Sequence, residues 1–329
     1  MKIAVVGLGA VGGLIAAKLA ARGHEVSALA RGATLAAVRA QGLRLQMGGQ
    51  QTSVKIEASD DARALGPQEL VVIALKGPAL GDVAASLQPM IGASTAVMPA
   101  MNGVPWWFLQ TLPAEAALDR QLASVDPGGR IGAALPLAQV LGCVVHLTCS
   151  SPEPGLIHHG FGNRLIVGEP AGGASARTTE VHDLLAGAGF TAEASADIRH
   201  DIWYKLWGNM TMNPVSTLTG ALTDAILDDP LVHAFILRTM EEAARIGARI
   251  GCPITQTGEE RMAVTRQLGG FKTSMLQDAL AGRALELDAL VTVVREIGER
   301  VGVATPNIDA LLGLTRLMAR GRGLYPSAS

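Results

Sequence analysis

The chain has 329 residues, 49% of them hydrophobic and 17% charged, and a formal net charge of −2 at pH 7. Its length is more than one core comfortably fills and asks for about two domains, while the apolar content excludes wholesale disorder. The near-neutral balance excludes the basic face that a nucleic-acid partner requires and points to a small molecule instead.

The first 23 residues, "MKIAVVGLGAVGGLIAAKLAARG", have the outline of a signal peptide: a lysine, an apolar run, then small residues. Glycines spaced inside the apolar run favour strand, turn and helix instead. No other apolar run approaches the roughly 20 residues of a transmembrane helix. Cys143, Cys149 and Cys252 form no metal spacing and read as free thiols in a reducing cytosol. The expectation is therefore a cytoplasmic protein with no membrane partner.

In chain order, residues 3–6 read as a strand, 11–21 as a helix and 25–30 as a second strand. Residues 42–46 and 54–56 bracket "MGGQQ", which suggests a hairpin. The apolar run 70–75 suits a buried central strand, 78–87 a helix, and 95–98 another strand. Strands alternating with helices predict a parallel sheet covered on both faces. Residues 144–149, 155–159 and 164–168 read as short β segments extending that sheet. A helix at 178–188 and a strand at 191–194 follow. Beyond residue 196 strand signals vanish, and helices are expected at 197–212, 229–250, 257–264, 274–281 and 286–301. "GRGLYPSAS" at the end reads as a loose tail. The expected layout is α/β: an N-terminal doubly wound sheet domain, 1–195, then an all-α domain, 196–329.

"GLGAVGG" sets Gly7, Gly9 and Gly12 as G-x-G-x-x-G between the first strand and the first helix. Gly7 permits the tight turn, Gly9 lets backbone approach a pyrophosphate, and Gly12 lets helix and strand pack closely. The backbone of Gly7, Leu8, Gly9, Ala10, Val11 and Gly12 would then cradle the phosphates at the helix N-terminus. This is the fingerprint of a Rossmann-type dinucleotide domain. An acid at the end of the second strand would hold the ribose 2′-hydroxyl of NAD. "EVSALARG" places Arg31 there, which suits the 2′-phosphate of NADPH. Lys76 and Asn102 follow two later strands, where a doubly wound sheet meets its ligand, and read as cofactor or substrate contacts.

"IWYKLWGNMTMNP" spaces Lys205, Asn209 and Asn213 four residues apart, on one helical face. A lysine can stabilise the charge growing on a reduced carbonyl and deliver its proton. Asparagines can hold a polar substrate without adding charge. The row is expected to floor a cleft against the dinucleotide domain, backed by Trp203, Leu206, Trp207 and Met210. Ser274 and Glu286 lie in "KTSMLQDALAGRALELD". Ser274 can donate to a substrate carboxylate, and Glu286 can orient the lysine or accept from a substrate hydroxyl. The plain alternatives are a helix-capping serine and an exposed helical glutamate. His158 and His159 read as structural, Asp201 as a helix cap, and no cluster has metal spacing.

These motifs together resemble the ketopantoate reductase (2-dehydropantoate 2-reductase) family over nearly the whole chain. "DIWYKLWGNMTMNPVSTLTG" and "KTSMLQDALAGRALELD" are the specific ones. The resemblance implies NADPH-dependent reduction of 2-dehydropantoate to pantoate, a step toward pantothenate and coenzyme A. It makes Lys205 the general acid, Asn209 and Asn213 substrate ligands, Ser274 the carboxylate-binding serine and Glu286 the family's helical glutamate. Lys76 and Asn102 match residues near nicotinamide and substrate, and Arg31 the 2′-phosphate contact. Three departures stand out. A further substrate-binding asparagine, expected about ten residues after Asn213, has only Thr219 and Thr223 in its neighbourhood. Trp106 and Trp107 follow Asn102, and the stretch before residue 196 is longer than in compact members. They leave open the same chemistry on another 2-oxo acid or an imine. A non-catalytic NADP-binding sensor would need only the glycine loop and Arg31, and leaves the second set of residues unexplained. The Ala- and Gly-rich C-terminal helices would bury one another or a homodimer interface.

Overall fold

A computed structural model describes residues 1–113 and 118–327. The chain divides into two compact units: unit 1 holds Met1–Thr111 and Gly128–Asp201, and unit 2 holds Leu112–Pro127 and Ile202–Ser329. The division falls inside one helix, a little beyond the expected boundary after residue 195.

Unit 1 has twelve described strands: β1 Lys2–Val6, β2 Glu25–Leu29, β3 Leu43–Met47, β4 Gln50–Val54, β5 Glu57–Ser59, β6 Gln68–Ile73, β7 Ile91–Pro99, β8 Gly142–His146, β9 Cys149–Glu153, β10 Leu156–His159, β11 Arg164–Gly168 and β12 Thr191–Ala194. The principal sheet is wholly parallel, in the order β5-β2-β1-β6-β7. With the β3–β4 hairpin set aside, that is the doubly wound order in which the first strand lies at the centre. Its middle strands are apolar at successive positions, Ile3–Val6 in β1 and Leu70–Ile73 in β6, and all eight residues are buried, so both faces are covered. The helix Ala10–Ala20 packs there through Leu14, Ile15 and Leu19. The N-terminal apolar run is thus sheet core.

The later strands do not extend that sheet as expected. They form β12-β11-β8, joined to β7 by a single bridge between Val97 and Val140, and they complete β4-β3-β10-β9, in which β10 runs parallel to β3. That second pairing joins Leu156 to Arg44 across more than a hundred residues, which no local pattern announces. The hairpin starts its second strand at Gln50, earlier than expected. Gly48 and Gly49 both take positive φ, 58° and 79°, so two residues complete the turn. A helix Gly32–Gln41, absent from the sequence reading, links β2 to β3.

The regular elements of unit 2 are all helical among its described residues. The helix Ile198–Thr219 enters it, followed by Thr223–Asp228, Pro230–Arg249, Gly258–Gln267, Ser274–Leu280, a π-turn at Asp288–Thr292 running into Val293–Arg300, and Pro306–Gly321. The last lies beyond 286–301, the final helix expected from the sequence. Its N-terminus is capped from another helix. The Glu242 carboxylate, 2% exposed, accepts from the Asn307 and Ile308 backbone N–H groups, both at 3.0 Å, and from Asn307 Nδ2 at 2.6 Å. Residues 123–124 are tied into this unit by Glu296, which accepts from Ala123 N, Ser124 N and the Ser124 hydroxyl. Arg300 donates to Asp119 O at 2.7 Å. The expected loose tail is docked where it is described: Leu324 is buried and accepts from Leu285 N at 2.9 Å. Residues 328–329 of it lie outside the described part.

Candidate functional site

The glycine loop is shaped by close approach on one side and by openness on the other. Gly7 takes φ +92°, and its N–H donates to Leu29 O at 3.0 Å. A Cβ there would lie 2.6 Å from Leu75 Cδ2 and 2.9 Å from Ala74 O. A Cβ on Gly12 would run into the Gly7 carbonyl oxygen and Ala74 Cβ. Gly9, by contrast, is exposed, and a Cβ built on it meets nothing within 4 Å. It is the N-cap of Ala10–Ala20 and has no side chain to satisfy the first N–H groups of that helix. Leu8 is buried, so it faces any ligand through its backbone; Ala10 and Val11 are half-buried. An open, uncapped helix N-terminus whose flanking glycines are sterically obligatory fits a dinucleotide pyrophosphate.

Three further positions lie at strand ends of the same sheet. Arg31, exposed, is the N-cap of Gly32–Gln41, just past β2. Lys76 is the N-cap of the helix Gly77–Val83, past β6. Asn102 follows β7, and both it and Lys76 are half-buried. The carboxyl ends of β2, β6 and β7 therefore carry a cation, a cation and an amide. Trp106 and Trp107, read as a departure at this edge, are core residues, at 3% and 0% exposed. Trp107 stacks obliquely on Phe108, with centroids 6.3 Å apart, and lies over Gly142.

In unit 2, Lys205, Asn209 and Asn213 do share one continuous helix, Ile198–Thr219. Its other face is locked in the core. Trp203, Leu206, Trp207 and Met210 are buried, Trp207 Nε1 donates to Met240 O at 2.7 Å, and Trp203 packs against Gly247. The row itself grades from half-buried Lys205 and Asn209 to buried Asn213. In unit 1, the start of this helix is capped by Asp197, which accepts from His200 N, rather than by Asp201. Asp201 accepts from the Ser195 hydroxyl instead.

Ser274 opens the helix Ser274–Leu280 but does not cap it. Thr273 does, accepting from Leu276 N at 3.2 Å, and Ser274 remains exposed. Glu286 is not helical as expected: it is a half-buried residue just ahead of the π-turn Asp288–Thr292. Single-turn π geometry is rare and clusters at functional sites.

Thr223, noted above only as standing where an asparagine is expected, and Arg261, outside the sequence reading, bear on this set. Thr223, 1% exposed, donates through its hydroxyl to Gly269 O at 2.9 Å and accepts from Phe271 N at 3.1 Å. It pins the loop that leads to Ser274 and lies near the place where the family's extra asparagine was sought. Arg261 lies 5.5 Å from the Tyr204 ring centroid and packs over Gly208, where a Cβ would come 2.7 Å from Nη2. Burial pulls its pKa below the usual arginine value. The histidines stay structural: His159 Nε2 pairs with Gly162 O at 2.7 Å, and His158 is a strand residue beside Ser150. All three cysteines are free thiols, and among the described residues no cluster of three or more His, Cys, Asp or Glu could hold a metal. No described helix is long and apolar enough to cross a membrane.

The chain is similar to known proteins over nearly its whole length. The family model "Ketopantoate reductase PanE/ApbA" matches residues 3–172, and "Ketopantoate reductase PanE/ApbA C terminal" matches 197–319. A 2-dehydropantoate 2-reductase of Mesorhizobium japonicum is 42% identical over 99% of this chain and 100% of its own length. The crystal structure of a protein from Ralstonia solanacearum MolK2, assigned as a ketopantoate reductase, is 58% identical, with a TM-score of 0.94 over 98% of this chain and 99% of that one. A 2-dehydropantoate 2-reductase from Methylococcus capsulatus is 25% identical, with a TM-score of 0.84, over 100% of this chain and 99% of that one.

Proposed function

This chain belongs to the ketopantoate reductase family and is a nicotinamide-dependent oxidoreductase, and we propose that it reduces 2-dehydropantoate to pantoate with NADPH, using Lys205 as general acid. NADPH, when bound, supplies a hydride for the 2-oxo carbon. The backbone from Gly7 to Gly12 would hold its pyrophosphate, with Arg31 at the 2′-phosphate and Lys76 and Asn102 nearer the nicotinamide and substrate. Reduction of the carbonyl also needs a proton on its oxygen. The Lys205 ammonium stabilises the charge growing there and donates that proton. Asn209 and Asn213, one and two turns along, hold the substrate's polar groups by donating and accepting without adding charge. Ser274 donates to the carboxylate. Glu286 orients Lys205 or accepts from the substrate hydroxyl.

The observation that carries the reading is the row itself. Lys205, Asn209 and Asn213 line one face of a helix whose opposite face is fixed by two buried tryptophans, so the three polar groups keep one register. A second reading keeps the chemistry and changes the 2-oxo acid. Thr223 favours it, because its hydroxyl is occupied by its own loop where the family places a substrate-binding amide.

Lys205→Ala is the test. Turnover of 2-dehydropantoate falls by at least a hundredfold, as for loss of a general acid, while NADPH still binds with wild-type affinity. Unchanged turnover removes Lys205 from the mechanism.

A further inference from the structure

Glu286 sits in a short connection between the helix Ser274–Leu280 and the π-turn Asp288–Thr292, so its position is not set by a helix of its own. The C-terminal segment grips that connection on both sides. One residue before Glu286, Leu285 N donates to Leu324 O at 2.9 Å. Two residues after it, Asp288 Oδ1 accepts from Tyr325 Oη at 2.6 Å and from Thr292 Oγ1 at 3.0 Å. The gripping segment is itself held. Leu324 is 4% exposed, and its N–H donates to Ala319 O at 2.8 Å. Arg320 lies 5.7 Å from the Tyr325 ring centroid and donates to Pro326 O at 3.0 Å.

We propose that residues 323–326 form a brace that sets the position of Glu286, with Tyr325 as a positioning residue for the reaction. The inference rests on the proposed role of Glu286. Its basis is that Glu286 is flanked by two tertiary hydrogen bonds to adjacent residues of one segment, Leu324 and Tyr325. A carboxylate in a connecting segment needs such support, since displacements of the order of 1 Å at a catalytic group cost up to about a hundredfold in rate. The hydroxyl is well suited to the task. Burial and the neighbouring Asp288 push the Tyr325 pKa up to about 12, so the phenol stays protonated and donating across the neutral range.

Tyr325→Phe, Glu286→Gln and the double variant test the brace, each assayed with NADPH and 2-dehydropantoate across pH and each checked by thermal melting. Tyr325→Phe lowers kcat about tenfold, with NADPH affinity unchanged, and moves the pH profile in the same direction as Glu286→Gln. In the Glu286→Gln background the same change costs less than twofold. Wild-type kinetics in Tyr325→Phe beside an impaired Glu286→Gln overturns the brace, and so do losses that simply multiply. Wild-type kinetics in Glu286→Gln is a separate outcome: it refutes the role of Glu286 and takes the brace with it. Should Tyr325→Phe melt below the assay temperature, Asp288→Leu removes the same bond from its other end, and the same comparison decides.

Discussion

Two alanine substitutions, three residues apart in the glycine loop, separate folding from cofactor binding. Gly9 has φ −71° and ψ −167°, open to any residue, and a Cβ there meets nothing within 4 Å. Gly9→Ala therefore costs only the difference between glycine and alanine at an N-cap, about 0.5–1 kcal/mol. For a unit of this size that is a fall of about 1–4 °C in melting temperature. The same methyl occupies the space assigned to the pyrophosphate, and NADPH affinity drops at least about tenfold, or 1.4 kcal/mol. Gly12→Ala behaves in the opposite way. Its Cβ meets the Gly7 carbonyl oxygen, lies 2.8 Å from Ala74 Cβ and 3.2 Å from Val5 Cγ1, all in packed surroundings. Helix propensity returns about 1 kcal/mol, but overpacking against backbone costs about 3 kcal/mol or more. The net loss is about 2 kcal/mol and at least about 5 °C. Thermal melting and an NADPH fluorescence titration read both variants. A Gly9→Ala protein that keeps wild-type affinity would refute the placement of the phosphates.

Arg31→Ala weakens NADPH by about tenfold, the lower end for a lost charge-assisted contact because the side chain is exposed, and leaves NADH within twofold; equal losses in parallel titrations count against the 2′-phosphate contact. Thr223→Val leaves the Gly269 carbonyl and Phe271 N–H without their partner, raises KM for the 2-oxo acid about three- to tenfold through Ser274, and leaves NADPH binding unchanged; an unchanged KM shows that the loop holds without it. Acid stability reports on Glu169. Its Arg177 partner, with help from Ser175, holds its carboxyl below the usual value. A depressed carboxyl stabilises the fold above its unfolded pKa, and that contribution disappears as pH falls through the folded value. Urea midpoints of Glu169→Gln and wild type should therefore differ at pH 7, and the gap should shrink as the pH is lowered below the usual glutamate value; a gap that does not change with pH contradicts the assignment.

The parts of this fold that are legible in sequence are those whose cause is local. Gly7, Gly9 and Gly12 announce their turn because strand, glycine spacing and helix adjoin one another. The row at Lys205, Asn209 and Asn213 is legible because helical periodicity places residues four apart on one face whatever the surroundings. The helix Gly32–Gln41 escaped notice because "GATLAAVRAQ" buries only Leu35 and Val38, which is too little periodicity to register. What is missing elsewhere is long-range. The parallel pairing of β10 with β3, the clamp of Glu296 on residues 123–124 and the grip of Tyr325 on Asp288 each join segments far apart in sequence. Glu286 is the sharpest case. Its residue type was readable, but its place in a braced connection depends on a tail whose composition of glycine, proline and serine suggests looseness.

NADPH oxidation by the wild-type protein, followed at its absorbance band with 2-dehydropantoate and with NADH in a parallel cuvette, tests the central claim most directly. The account predicts efficient turnover with NADPH and at least tenfold less with NADH at equal concentration. Absent turnover with 2-dehydropantoate, while NADPH binds and another 2-oxo acid is reduced, would contradict the substrate assignment and leave the family membership and fold in place.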